Sequence, residues 1–255
     1  FVQRSYVSRN CHFYLTDVFG SEKYSGNQLA TFVNCDSLSS EEMQKIAREI
    51  NFSETTFLSA VPVEGAYPVR IFTPKEEVEF AGHPTLGTAY ILREKVVKAP
   101  VNELTLALKA GKVHVEFSKN QRGEELAWMQ QFAPQFGVAY AAHNVAKMLG
   151  LTEQDIEGRW PIIEVSTGFP HLIVPLKTLD ALKRISVNKD SYYLQVQEAW
   201  AKIILAFAPE SYRDDHTLAV RVFADYFGIS EDAATGSGNG ALSAYLVQQR
   251  YFGSN

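Results

Sequence analysis

Residues 69–72 read VRIF and are followed at 82–90 by GHPTLGTAY, while residues 220–223 read VRVF and are followed at 236–245 by GSGNGALSAY. Each copy runs from an apolar piece of strand length through a loop to a glycine-rich turn. It then enters a short apolar segment, TAYIL in one case and ALSAYLV in the other. A unit that recurs at matching places in both halves of a chain predicts two lobes of like topology. Each turn marks a helix start, and the first amide N–H groups of a helix have no partner within it. Such groups form a ready anion site, which glycine lets a ligand approach closely. With both starts facing one cleft between lobes, His83 and Ser237 stand at equivalent positions on its two walls.

Around these turns the chain reads as mixed α and β. CHFYLTDVF (11–19) and LATFVNC (29–35) alternate as strands. Ser39 and Glu42 have the spacing of a capping box ahead of Met43, Ile46, Ala47 and Ile50, the apolar stripe of a helix lying on a sheet. NFSETTFLSAV (51–61) returns to strand, so Glu54 falls at a helix-to-strand junction. LTLALKAG and KVHVEF form a hairpin about Ala110-Gly111. The polar run SKNQRGEE (118–125) is the expected linker between an N-terminal lobe, residues 1–117, and a C-terminal lobe, residues 126–255. Beyond it the pattern predicts helices near 140–149 and 152–158, strands at IIEVS, HLIVPL and IILAFA, and a helix in the YLQVQEAWAK region.

The composition of the 255 residues, 46% hydrophobic and 21% charged, is that of a globular protein. The net charge of −5 gives no basic field for nucleic acid. No apolar run approaches the ~18 residues that span a bilayer, so no membrane role is expected. The opening FVQRSYVSRN (1–10) has charge without an apolar core and reads as an extension, not a secretory signal. Cys11 and Cys35 are too few and too poorly placed for a disulfide framework or a zinc site, which points to a reducing, cytoplasmic setting.

The glycines admit other readings. TGSGNGA carries GxGxG, not GxGxxG, and no acidic residue follows in a βαβ unit, which argues against a dinucleotide. No GK[ST] is present, and Ser237 lies outside a GxSxG elbow. Tight packing of helix on strand is the plain alternative for Gly82, Gly87, Gly236 and Gly240. Two matching turns, each beside a titratable residue, favour a site.

FGSEKYSGNQLATFV (19–33), INFSETTFL (50–58), VRIFTPKEEVEFAGHPTLGTA (69–89) and VRVFADYFGISEDAATGSGNGALSAYL (220–246) resemble successive signatures of the PhzF-like family of phenazine-biosynthesis isomerases. The resemblance implies an α+β fold similar to diaminopimelate epimerase. Two similar lobes each wrap a curled, barrel-like mixed β-sheet around a central helix, and the site lies between them without a cofactor or metal. The central helices would begin near Gly82 and Gly236. Family members continue with further strands past the point corresponding to Asn255, and they are often homodimers, so the resemblance implies a homodimer here.

The same resemblance implies the roles of residues. Glu54 matches the family's acid/base glutamate, His83 its GHP histidine, and Asp232 and Ser237 the aspartate and serine of its EDPATGS motif. Asn27 matches an asparagine that shapes the site. Gly82, Pro84, Thr85, Thr235, Gly236 and Gly238 belong to the two turns taken to bind substrate. The chain departs from the pattern at Ala233, where proline is usual, at Gly238, where alanine is usual, and in reading GNQ for GNP at 26–28.

Physical chemistry supports the same set. A carboxyl facing Phe52 and Phe57 has its pKa raised by desolvation, toward the range where it can both take and give a proton. A histidine at a helix start is held neutral and is expected as a donor, and Asp232 can both cap a helix and meet a substrate amine. Related epimerases on the fold use one cysteine thiolate at each helix start, and neither turn here has one. These features point to a cofactor-independent isomerase of small amino- or hydroxy-carboxylates. The alternative from another class is an idle member that binds a metabolite or a protein partner.

Overall fold

The structure is a computed structural model that describes residues 11–20 and 22–253. The extension assigned to residues 1–10 lies outside the described residues. Two mixed sheets carry the fold. The first contains β1 (His12–Val18), β2 (Asn27–Val33), β3 (Glu54–Leu58), β4 (Tyr67–Phe72), β5 (Glu77–Val78), β6 (Glu103–Leu108), β7 (Gly111–Lys119) and β8 (Glu125–Met129). Its order is β1-β2-β3-β4-β6-β7-β8, with β5 paired to β4. The second contains β9 (Gln135–Tyr140), β10 (Ile162–Ser166), β11 (Pro170–Pro175), β12 (Ile203–Ala208), β13 (Ala219–Ala224) and β14 (Ile229–Asp232), in the order β14-β13-β12-β11-β10-β9. Parallel pairs β2–β3, β4–β6 and β11–β12 interrupt otherwise antiparallel sheets.

Helix α1 (Ser40–Ile50) makes the β2-to-β3 crossover. The Ser39 hydroxyl accepts from the Glu42 amide, and the Glu42 carboxylate accepts from the Ser39 amide at 2.8 Å, so the capping box forms. Met43 and Ala47 pack on Ala30, Phe32, Phe57 and Phe72, the outer face of the first sheet. The helix ends on Asn51 in the left-handed region, φ 58°, which turns the chain into β3 and brings Glu54 to its first position.

The two central helices have a different character. In α2 (Gly82–Ile91) all residues but Leu86 and Tyr90 are buried, on every side of the helix. A helix apolar all round has to be enclosed, and the first sheet curls about it. A segment of π-helix, Leu92–Val97, extends it. Helix α6 (Gly236–Gln248) packs Ala241, Leu242 and Tyr245 against Val165, Ile173, Leu205, Phe207 and Val222 of the second sheet. The opposite face of that sheet, through Leu172, Val174, Ile204 and Ala206, is covered by α3 (Ala142–Leu149), α4 (Leu179–Arg184) and α5 (Lys189–Val196). Strands buried on both faces account for the near-continuous apolar runs of β11 and β12.

The sequence repeat is matched in side-chain detail. In β4 the Arg70 guanidinium grips Glu77 of β5 through two bonds of 2.7 Å and lies 5.1 Å from the Phe72 ring. In β13, Arg221 grips Glu231 of β14 at 2.7 and 2.8 Å and lies 4.9 Å from Phe223. Each fork closes the strand pair that delivers the chain to a central helix.

Two expectations are corrected. Residues 118–125 do not link lobes: Lys119 pairs with Glu125 and Ser118 with Leu126, so the segment turns a hairpin inside the first sheet. The chain crosses to the second sheet over residues 130–134. A polar, glycine-bearing run has the same composition whether it turns a hairpin or joins lobes. The cysteines are likewise not apart. Cys11 and Cys35 are paired as a disulfide, with Cα atoms 5.6 Å apart, because the β1–β2 register sets His12 beside Val33. That pairing removes the argument from cysteine usage for a reducing compartment. No helix among the described residues is long and apolar enough to cross a membrane.

Candidate active site

Two side chains from the first lobe meet at the centre of the molecule. Glu54 opens β3, where the αL turn at Asn51 delivers it, and His83 occupies the first turn of α2. Glu54 Oε2 lies 3.5 Å from His83 Nε2. Neither atom has a hydrogen-bond partner among the described residues, and the contact exceeds ordinary hydrogen-bond length. Burial raises the Glu54 carboxyl well above the usual carboxylate range, and the charge of Asp232 adds to the effect. Burial also takes His83 down to about 4, against the opposing pull of Asp232 and of a hydrogen bond with the Gln28 backbone. That backbone bond favours the charged ring, so the ring donates to a carbonyl. The neutral ring then turns a bare Nε2 toward Glu54. In this tautomer the ring's Nε2 faces Glu54 as a lone pair, while both shifts keep the proton on Glu54.

Asp232 comes from the second lobe, at the end of β14. Its Oδ1 accepts from Asn27 Nδ2 at 2.7 Å and from Ser53 Oγ at 3.0 Å, and its Oδ2 accepts from Thr235 Oγ1. Asn27 also donates to the Ala234 carbonyl at 2.9 Å. Asn27 and Ser53 lie in the first lobe, so this carboxylate is a polar joint between the two. The Arg221–Glu231 fork holds the residue next to it.

The helix starts abut. A Cβ built on Gly82 would lie 2.7 Å from the Ser237 amide nitrogen, so this contact admits only glycine. Glu54, Gly82, His83, Asp232, Thr235, Gly236 and Ser237 line one cavity of about 30 Å³, room for a water. Phe80, Phe169, Phe227, Ile203 and Ile229 supply its apolar wall. A groove of about 710 Å³ adjoins it and shares Val78, Phe169 and Phe227 with it. Four expected residues stand behind the wall. Asn27 holds Asp232, Pro84 is buried in the helix, Thr85 turns its hydroxyl back to the Ala81 carbonyl at 2.7 Å, and Gly238 faces the sheet. Since Pro84 has no N–H, α2 offers two free amides where α6 offers three.

Sequence reasoning missed Ser53 and His171. His171, on β11, is fully buried with its Nδ1 2.9 Å from the Phe169 carbonyl and its Nε2 unpartnered. Burial lowers it to about 4. Its signal was one polar residue in the apolar run HLIVPL, which more often marks a satisfied core histidine. Among the described residues no group of three or more His, Cys, Asp or Glu side chains could hold a metal ion. The cavity therefore offers a carboxyl with a raised pKa, a neutral imidazole, a second carboxylate and two helix starts. Such a set can bind a small zwitterion and move a proton on it.

Comparisons with known proteins give the family and the fold. A family model described as phenazine biosynthesis-like protein, PhzC-PhzF, matches residues 16–255. A trans-2,3-dihydro-3-hydroxyanthranilate isomerase of Pseudomonas aeruginosa is 34% identical over 234 residues, 92% of this chain and 79% of the relative. The crystal structure of a PhzF-family phenazine biosynthesis protein from Bacillus anthracis superposes with a TM-score of 0.82 at 31% identity, covering 94% of this chain and 81% of that one. A probable proline racemase from Agrobacterium radiobacter shares the fold alone, with a TM-score of 0.55 at 11% identity over 87% of this chain and 74% of that one.

Proposed function

The chain belongs to the PhzC-PhzF family of phenazine biosynthesis-like proteins and is an isomerase, and on that premise we propose that Glu54 relocates a proton on a small amino- or hydroxy-carboxylate without a cofactor. The observation that carries the reading is the desolvated Glu54 carboxyl facing the unpartnered Nε2 of His83 at 3.5 Å. At rest the pair holds one proton, on Glu54. A ligand ammonium placed between Glu54 and Asp232 makes ionisation of Glu54 less costly, so the carboxyl becomes a base once substrate is bound.

Glu54 then removes a proton from a carbon beside the substrate's double bond. The C–H electron pair forms a new double bond, the old one shifts its pair to the far carbon, and Glu54 returns the proton there. No electron is gained or lost. The amides of Gly236 and Ser237, which line the cavity, anchor the carboxylate together with the start of α2, and the apolar wall faces the hydrocarbon body. His83 receives the Glu54 proton transiently and keeps the carboxyl oriented. A cavity of about 30 Å³ does not hold such a molecule, so substrate enters as the lobes part toward the larger groove. The homodimer implied by the resemblance is part of the same proposal and is read by light scattering.

The test is conversion of trans-2,3-dihydro-3-hydroxyanthranilate, the compound named for the Pseudomonas relative, followed by NMR with no added metal or organic cofactor. Turnover supports the reading. Binding without turnover of this or related amino- and hydroxy-carboxylates would mark an idle binder instead.

A further inference from the structure

Gln131 lies in the crossover between the two sheets, and its side-chain amide is held at both ends. Its Oε1 accepts from the Thr167 hydroxyl, and its Nε2 donates to the Gly236 carbonyl at 3.4 Å. That carbonyl only accepts, so the NH₂ end of the amide has to face it. Thr167 is buried and directly follows β10, and its own carbonyl accepts from the Phe132 N–H at 3.1 Å. The second sheet thereby anchors both the Gln131 side chain and the backbone beside it.

Gly240 makes room for this amide. A Cβ there would lie 1.8 Å from Gln131 Oε1 and 2.5 Å from its Nε2, so the amide takes the place of a side chain one turn along α6 from Gly236. The Gly236 carbonyl and the Ser237 N–H belong to one planar trans peptide group and point in opposite directions. Ser237 is the second residue of α6, where the N–H has no partner within the helix, and it lines the cavity. Gln131 does not line the cavity and acts from behind it. A donor at the oxygen end of a peptide group fixes its plane and, by polarising it, strengthens the N–H at the other end.

We propose that Gln131 is a positioning residue: by donating to the Gly236 carbonyl it aims and strengthens the Ser237 N–H that holds the substrate carboxylate. The inference rests on the anchoring role given to that amide and adds the side chain that sets it.

The first test needs no substrate. Gln131→Met keeps the length of the side chain and removes the donor, so the Gly236 carbonyl ¹³C and the Ser237 amide ¹⁵N resonances should both move upfield. Gln131→Ala serves if the methionine protein does not fold. Unchanged resonances in the folded variant overturn the proposal. Kinetics with trans-2,3-dihydro-3-hydroxyanthranilate give the second test. Gln131→Met should raise KM about three-fold, the effect of one long hydrogen bond, with kcat unchanged. Gly240→Ala, which displaces the amide, should raise KM by a similar factor alone and add nothing in the Gln131→Ala background, where its methyl meets empty space. A parent KM in Gln131→Met, a fall in kcat in its place, or an equal effect of Gly240→Ala in both backgrounds means that Gln131 only packs. If the compound binds without turnover, the proposed chemistry fails and its Kd, read from the Ser237 amide, decides on Gln131: about three-fold weaker in Gln131→Met supports the proposal and parent affinity overturns it. A Ser237 amide that does not respond to the compound overturns the anchor and this proposal with it.

Discussion

Glu54 Oε2 and His83 Nε2 face each other at 3.5 Å from a strand start and a helix start, each without a hydrogen-bond partner among the described residues. Burial disfavours charge on both, raising the acid and lowering the base. The expected resting state is a neutral pair sharing one proton, which is poised chemistry and not a structural ion pair.

That state has a sign in stability. Glu54 binds its proton more tightly folded than unfolded, so its contribution is complete below the unfolded pKa and is lost as pH rises through the raised folded value. Chemical denaturation from pH 4 upward should therefore show a falling component that Glu54→Gln removes. An unchanged pH dependence in the variant would mean that Glu54 is solvated and ionised.

The histidines act on the acid side. His83 and His171 are neutral in the fold down to about 4, against an ordinary 6.5. The stability linked to each is complete above 6.5 and is lost as pH falls toward 4. His171→Phe should flatten this acid limb by up to about 3 kcal/mol, the linkage equivalent of its shift. An acid limb as steep as in the parent would show that His171 does not resist protonation.

The abutting helix starts yield to a minimal change. Gly82→Ala places a methyl 2.7 Å from the Ser237 amide and has to push the two turns apart. A loss of about 1–3 kcal/mol in unfolding free energy is expected, with substrate binding weakened more than that of an alanine placed at the exposed Gly123. Wild-type affinity in Gly82→Ala would contradict a site built on both turns.

The legible parts of this protein were those fixed by local pattern. The Ser39–Glu42 box, the alternation of β2, the apolar run of β12 and both helix starts follow from local pattern alone, and Glu54 was placed at its junction by the elements on either side. Contacts between distant segments were not legible. The Cys11–Cys35 pairing depends on strand register, and the hairpin at 118–125 on which strands pair, neither of which composition records. Ser53 and His171 look ordinary in sequence: Ser53 is marked by its bond to Asp232, which arrives from the far end of the chain, and His171 by the burial of its unpartnered Nε2. His83 was found by its motif, but its tautomer is set by the backbone of β2 and was not legible.

The central claim is that one carboxyl carries the migrating proton, and solvent isotope tests it most directly. Turnover of trans-2,3-dihydro-3-hydroxyanthranilate in D₂O by the wild-type protein should place deuterium at the carbon that gains the proton, to the extent that Glu54 exchanges during its residence there. Glu54→Gln, near-isosteric, should bind the compound but convert it at least ~10²-fold more slowly. Deuterium incorporation and near-normal turnover in Glu54→Gln, together with a dead Asp232→Asn, would show that the proton is carried from the second lobe and not by Glu54.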